Sequence, residues 1–282
     1  MEESALFLSS PLATVVAALF GAIWGSFMNV CIARVPRGLS VVRPGSRCMS
    51  CGAAIGAADN LPIVSYFLRR GRCRACGAPF SARYPLVEAL AALLAAALWW
   101  RFVTADPGGV TAVRLARFAL YFAFGGVLMV LSFIDLDTQL LPDVITLPAI
   151  PVLYLAAFGA HDVSWLDRLI GAAAGYLLLR LIADFYYHVL KREGMGLGDA
   201  KLLALIGAVL GWKSLPLVVF ASALVGSLVS IPILLVTRRR AGADGPLRHI
   251  QIPFGPFLAT GALIYLFAAR PLLATIGADV WL

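Results

Sequence analysis

The sequence predicts an all-α polytopic membrane protein: about eight transmembrane helices, with one small cytoplasmic loop domain between the first and the second. Three observations carry that expectation. Hydrophobic residues make up 61% of the 282 residues and charged ones 13%, against roughly 25% charged in soluble domains. Apolar runs long enough to cross a bilayer, or nearly so, recur along the whole chain. The first two runs are separated by a polar segment holding four cysteines at CxxC spacing, a pattern that builds metal knuckles. The net charge of +8 could suggest nucleic acid, but the basic residues cluster in loops between apolar runs. That is the pattern of membrane sidedness, so no nucleic-acid partner is expected.

Taken in order, the expected spans are 12–32, 86–102, 118–134, 144–160, 166–190, 200–211, 215–236 and 254–276. The sixth is short and carries Lys201 near its start, so it is expected to be tilted, half-buried or continuous with the glycine turn before it. Met1 to Ser10 holds two acids and no basic residue, so no cleaved signal peptide is expected. Three regions follow: a first span over 1–33, a four-cysteine loop domain over 34–85, and the remaining membrane region over 86–282.

Sidedness comes from the basic residues. Nine arginines lie between Arg34 and Arg83; Lys191 and Arg192 follow span five; Arg238, Arg239, Arg240 and Arg248 follow span seven. With eight spans these loops share one side, which the positive-inside rule makes cytoplasmic, beside acidic lipid headgroups. Asp135 ends span three and Asp199 opens span six, so both carboxylates are expected at one depth on the cytoplasmic side. An ionisable residue at the edge of a span is a functional hypothesis. Two carboxylates brought together can divide base and acid roles between them.

Cys48-Met-Ser-Cys51 and Cys73-Arg-Ala-Cys76 are separated by 21 residues, and each is followed by glycine, Gly52 and Gly77. Such a CxxC-Gly turn brings backbone amides to the sulfurs, and two knuckles complete a tetrahedral four-sulfur site. Structural zinc is the expected ligand. A cytoplasmic loop disfavours stable disulfides, and four thiolates leave no open position for catalysis. Cys31, at the end of span one, reads as a small apolar residue.

Among the acids, Asp135 adjoins its span most closely. Asp137 is ambiguous between a solvated loop residue and a support for the site. Asp143 follows Pro142 at the start of span four, where the helix dipole favours a carboxylate. Gly194-Met-Gly-Leu-Gly-Asp199 follows no strand, so it is not a dinucleotide loop. Its glycines suit a close backbone approach beside an extended peptide, and Asp199 itself reads equally as a catalytic acid or a helix N-cap. Asp184 and Arg180 are expected to neutralise each other at i,i+4. His161 and His188 have no ligand partners at useful spacing. The Ile252-Pro-Phe-Gly-Pro256 run opens span eight and is placed to line the site.

Several short motifs occur together and in order: Gly25-Ser-Phe-Met-Asn-Val30, the four-cysteine loop, Asp59-Asn-Leu-Pro62, Arg72-Cys-Arg-Ala-Cys76 and Arg83-Tyr-Pro-Leu-Val-Glu88. Then come Phe133-Ile-Asp135, Leu141-Pro-Asp143, Gly196-Leu-Gly-Asp199 with Lys201, and Pro253-Phe-Gly-Pro256. In these the chain resembles, over nearly its whole length, the bacterial type IV prepilin peptidases, also called prepilin leader peptidase/N-methyltransferases, of the GxGD class of membrane aspartic proteases.

The resemblance implies that Asp135 and Asp199 are the catalytic pair, with Gly196, Gly198 and Lys201 shaping their surroundings. It implies two reactions at the inner membrane: removal of the basic leader from prepilins and pseudopilins, then methylation of the new N-terminal amine with S-adenosylmethionine. The processed subunits would assemble into type IV pili or type II secretion machinery. Methyl transfer is linked in the family to the first half of the chain, where Asp59, Asn60 and Glu88 are the polar residues to test. Asp59-Asn60 also reads as a turn, and Glu88 as a balance for nearby arginines. The alternatives are cleavage without methylation, a proton-coupled transporter relaying ions through the two aspartates, and a non-catalytic zinc scaffold. A transporter should show internal repeats and broken helices at the midplane.

Overall fold

The computed structural model describes residues 8–106, 108–190, 196–241 and 252–275, without the side chains of 190, 237–241 and 270–275. Lys191, Arg192, Gly194 and Arg248, and the side chains of Arg238, Arg239 and Arg240, therefore lie outside the described residues. The described residues form nine α-helices and no strand. They are α1 (Pro11–Arg34), α2 (Val64–Leu68), α3 (Arg83–Trp99), α4 (Thr111–Thr138), α5 (Asp143–Ala156), α6 (Trp165–Leu190), α7 (Leu197–Leu210), α8 (Leu215–Ala241) and α9 (Gly255–Thr275). Five helical stretches are long and apolar enough to cross a membrane, and α5 and α9 belong to two shorter apolar ones. The protein is therefore an all-α, multi-pass membrane protein. The chain divides into two compact units, Met1–Gly126 and Val127–Leu282.

In the first unit, α1 begins as its sequence directs. Ser10 caps it by accepting the Ala13 amide at 3.3 Å, and Pro11 occupies the first turn, where its missing N–H leaves nothing unsatisfied. Gly21 and Gly25 then allow α1 to lie directly on α3. A Cβ at Gly21 would stand 2.4 Å from the Ala91 carbonyl, and one at Gly25 would stand 2.7 Å from Glu88 Cα. This is small-residue packing of the kind that holds helices together in lipid, where no hydrophobic force acts between them. Phe20, Phe118 and Phe122 stack where α4 begins.

In the second unit, α7 is the centre. Every residue from Leu202 to Leu210 is buried, and α5, α6 and α9 pack around it. That explains the short sixth apolar run: a helix apolar all round is one surrounded by protein. Its contact with α6 is again made of glycine, since a Cβ at Gly207 would lie 2.1 Å from the Gly171 carbonyl. Arg168, 1% exposed, closes the far end by reaching Asp162 at 2.6 Å and the Val209 carbonyl at 2.5 Å. The outer faces of α6 and α8 expose Leu177, Leu181, Phe185, Phe220, Leu224 and Leu228, an apolar surface suited to lipid.

Candidate active site

Asp135 sits in the last turn of α4 and is 5% exposed. Its Oδ2 accepts the backbone N–H of Gly255 at 3.0 Å, at the first residue of α9. That approach requires glycine, because a Cβ there would stand 2.6 Å from the same oxygen. Asp199 sits in the first turn of α7. The cap position of α7 is Gly196, which is extended and makes no side-chain cap bond, so Asp199 is not the N-cap. Its half-buried carboxylate lies within electrostatic reach of Asp135. The structure thus brings both expected aspartates together from two helices.

The flanking residues divide by role. A Cβ at Gly198 would press on Leu141 at 3.0 Å, so this glycine lets the loop before α5 pass close. Among the described residues, a Cβ at Gly196 would meet nothing nearer than 3.9 Å, with Asp199 Oδ2 at 4.0 Å. Lys201 does not pair with either candidate acid; it donates to both oxygens of Asp143, at 2.6 and 2.8 Å, and so ties the start of α5 to α7. Asp137 is exposed. Arg180 and Asp184 pair at 2.9 Å, as their i,i+4 spacing predicts.

The cysteine loop forms two like knuckles. The Gly52 and Gly77 amides return to the Cys48 and Cys73 carbonyls at 2.9 and 3.0 Å, both glycines having positive φ. A β-bridge closes each knuckle, Arg47 with Ala54 and Arg72 with Pro79. The four Sγ atoms lie within 4.8 Å of one another, and Cys48 and Cys76 are 3.8 Å apart. A tetrahedron with metal–sulfur bonds of about 2.3 Å has sulfur–sulfur edges of about 3.8 Å, so the cluster has the dimensions of a metal centre. All five cysteines are free thiols. The amides of Cys51 and Ser50 lower the Cys48 thiol to about 6. The Ala78 amide pulls Cys76 down, but hydrogen bonding to Cys51 and removal from water outweigh it and hold that thiol up at about 11. Cys31 is half-buried.

Asp59, Asn60 and Glu88 line one cleft in the first unit, formed by α1, α3 and the cysteine loop and enclosing about 1090 Å³ with its open mouth included. Asp59 pairs with Arg69. Glu88 is buried and accepts the Ile63 amide at 2.6 Å. Ser26 and Asn29, which the sequence marked only as members of the Gly25–Val30 motif, line the same cleft, as does Tyr66, which it did not mark. The Gly21-x-x-x-Gly25 spacing was the available signal, since it turns the face bearing Asn29 toward α3. The Gly255 amide was also unmarked, because a backbone donor leaves no trace in side-chain chemistry.

The description "Bacterial Peptidase A24 N-terminal domain" fits residues 19–102, and "Type IV leader peptidase family" fits residues 122–231. The chain is 40% identical to a prepilin leader peptidase/N-methyltransferase of Aeromonas hydrophila, with 88% of each chain covered. It is 37% identical to one of Pseudomonas putida, again with 88% of each covered. A third, from Pseudomonas aeruginosa, is 36% identical, with 92% of this chain and 91% of that protein covered. No solved structure matches. With two aspartates converging from separate helices and relatives alike over most of their length, the chain belongs to the type IV leader peptidase family.

Proposed function

We propose that this chain is an aspartic endopeptidase of the bacterial inner membrane. It removes the leader of type IV prepilins and pseudopilins at the cytoplasmic face and then methylates the exposed N-terminal amine. The observation that carries the peptidase reading is the convergence of Asp135 and Asp199 from α4 and α7. In this mechanism one aspartate is ionised and takes a proton from the attacking water. The other is protonated and donates to the scissile carbonyl. The pair titrates as a unit, because two close negative charges in a poorly solvated site are unfavourable. The Gly255 N–H holds one oxygen of Asp135 in place, and the glycines before α7 would let an extended peptide approach Asp199 closely. The apolar helix of the pilin would lie in lipid or among the spans, with its basic leader among acidic headgroups.

Zinc fits the cysteine cluster by its dimensions and its four sulfur donors, with a structural role for residues 34–85. The chain then divides its labour between a first span over 1–33, that loop domain, and a peptidase region over 86–282. S-adenosylmethionine, the donor implied by the relatives' methyltransferase names, would present its methyl group on a sulfonium. Bound, it would supply a methyl group activated for transfer to the exposed amine, with Asp59, Asn60 and Glu88 the candidate residues to hold it.

Leader cleavage of a purified prepilin, with wild type compared against Asp135→Asn and Asp199→Asn, tests the peptidase reading. Each substitution should lower cleavage by at least about a hundredfold, as loss of an acid or base does, with metal content unchanged. A variant that cuts at near the wild-type rate removes that aspartate from the mechanism.

A further inference from the structure

We propose that the short helix α2 docks its outer side into the headgroup boundary of the bilayer, with acidic lipid beside its arginines. It thereby seats the cysteine loop on the membrane surface.

The sequence of α2, Val64-Ser-Tyr-Phe-Leu68, makes little more than one turn. Residues three and four apart share a side of a helix, so Val64, Phe67 and Leu68 form one side, with Leu61 just before them. All four are exposed among the described residues, Phe67 by 67% and Leu68 by 79%. The other side, Ser65 and Tyr66 with Arg69 just after, lines the cleft. It is fixed there, because Arg69 pairs with Asp59 and the Tyr66 hydroxyl donates to the Phe80 carbonyl at 3.4 Å. This reverses the usual arrangement of a helix on a soluble domain, which turns its apolar stripe to the core. Single exposed apolar residues are ordinary, but a contiguous set marks a contact with a partner or a membrane.

Depth decides between those two. The loop joins α1 and α3, both in stretches apolar enough to cross a membrane. Glu88 lies in the second turn of α3, between Leu86 and Leu90, which are exposed on the outside of that helix. Its Oε2 accepts the Ile63 amide at 2.6 Å, and Ile63 immediately precedes α2. The start of α2 is therefore held within one side chain of the level at which the surface of α3 turns apolar. That level is the headgroup–acyl boundary, where amphipathic helices lie with the apolar side buried by about 5–10 Å.

Charge points the same way. Residues 34–85 carry nine arginines and a single acid, Asp59, and Arg69 and Arg74 take up that acid. Arg43 and Arg70 are exposed. A basic segment beside a span is drawn to acidic lipid, whereas a second copy seated on this side would bring like charge against it.

The test places full-length protein in nanodiscs of phosphatidylethanolamine and phosphatidylglycerol, with the photo-crosslinker p-benzoylphenylalanine in place of Phe67. The same probe in place of Leu224, on the outer face of α8, is the reference for lipid contact. Mass spectrometry of the labelled peptide identifies each adduct. The probe at 67 should form lipid adducts as the probe at 224 does. Adding Val64→Ser and Leu68→Ser together should remove them, with helical circular dichroism and elution volume unchanged. Discs of phosphatidylcholine alone should lower the adduct at 67 by up to about fivefold, the factor that one arginine near an acidic surface contributes. Lipid adducts absent at 67 but present at 224 overturn the docking, as do adducts at 67 to a second copy or to another segment of the chain. A yield that the two serines leave unchanged means that the apolar side does not hold α2 there. Equal yields in neutral and acidic discs remove the arginines from the docking.

Discussion

At the smallest scale, the proposed peptidase chemistry leans on a single backbone amide. The Gly255 N–H meets Asp135 Oδ2 at 3.0 Å, and no side chain can be added there without striking that oxygen. Gly255→Ala should therefore shift the Asp135 carboxylate, and a displacement of about 1 Å can lower turnover by about a hundredfold. The loss should appear in kcat more than in KM, with metal content and donor binding unchanged. Cleavage within twofold of wild type in steady-state assays sinks this role for the amide. Lys201 gives the contrasting case. Its partner Asp143 is more than half exposed, and exposed ion pairs contribute about 0–1 kcal/mol. Lys201→Met should accordingly change the melting temperature little, and a large drop would mean that the α5–α7 tie is structural. The nearness of Asp135 and Asp199 was expected from the sequence, because a carboxylate at the edge of an apolar run is unfavourable without a purpose, while the residues alone left Asp199 open between an acid and an N-cap. Gly255 was legible only as part of a Pro-Phe-Gly-Pro helix start, since its function is in its N–H.

Glycine crossings decide how the helices pack. Hydropathy reveals where helices run, and each expected span coincides with helix in the described residues. It does not reveal which faces meet, because lipid and protein neighbours are both apolar and select similar side chains. The glycines carry that information: Gly21 and Gly25 on α1, Gly171 and Gly175 on α6, and Gly207 on α7 all abut a facing backbone or small residue. Gly207→Val should push α7 from α6 and destabilise the second unit by about 1–3 kcal/mol, the usual range for overpacking. Thermal unfolding in detergent measures it, and an unchanged midpoint means the two helices do not touch at Gly207. The knuckles were the most legible element, since CxxC-Gly spacing already implies the positive-φ turn. Their pH behaviour follows from the thiols. Cys48 is lowered to about 6, so its thiolate is present above that value and is lost as pH falls through it. Metal ligands must be deprotonated. Bound metal displaces the thiol protons, that of the raised Cys76 included, so retention against a mild chelator should hold at neutral pH and weaken steadily as pH falls and protons compete for the four sulfurs. Retention that does not change with pH down to strongly acidic buffer means these thiols do not hold the metal.

At the scale of the whole molecule, the residues proposed for the two chemistries fall in different units. Asp135, Asp199 and the residues that hold or flank them (Gly255, Gly198, Lys201 and Asp143) all belong to Val127–Leu282. The cleft and the four cysteines belong to Met1–Gly126. Neither grouping was legible as a boundary in the sequence, because apolar runs follow one another without a linker, and the break falls inside α4, an uninterrupted helix. The separation has a direct consequence for metal removal. Ser46, Arg47 and Ile55 line the cleft from the first knuckle, and Arg72 and Phe80 line it from the second. A loop with so little core of its own depends on its metal for a fixed shape. Stripping the metal with a strong chelator should therefore lower methyl transfer to a pre-cleaved pilin peptide by about tenfold or more, the scale of losing a site's supporting interactions. Leader cleavage, proposed for the aspartates of the other unit, should persist within a few fold, and restoring zinc should return methyl transfer. If cleavage falls in step with methyl transfer, the cysteine loop serves the peptidase as well. If methyl transfer survives without metal, the knuckles do not shape the cleft, and the wall formed by α1 and α3 suffices.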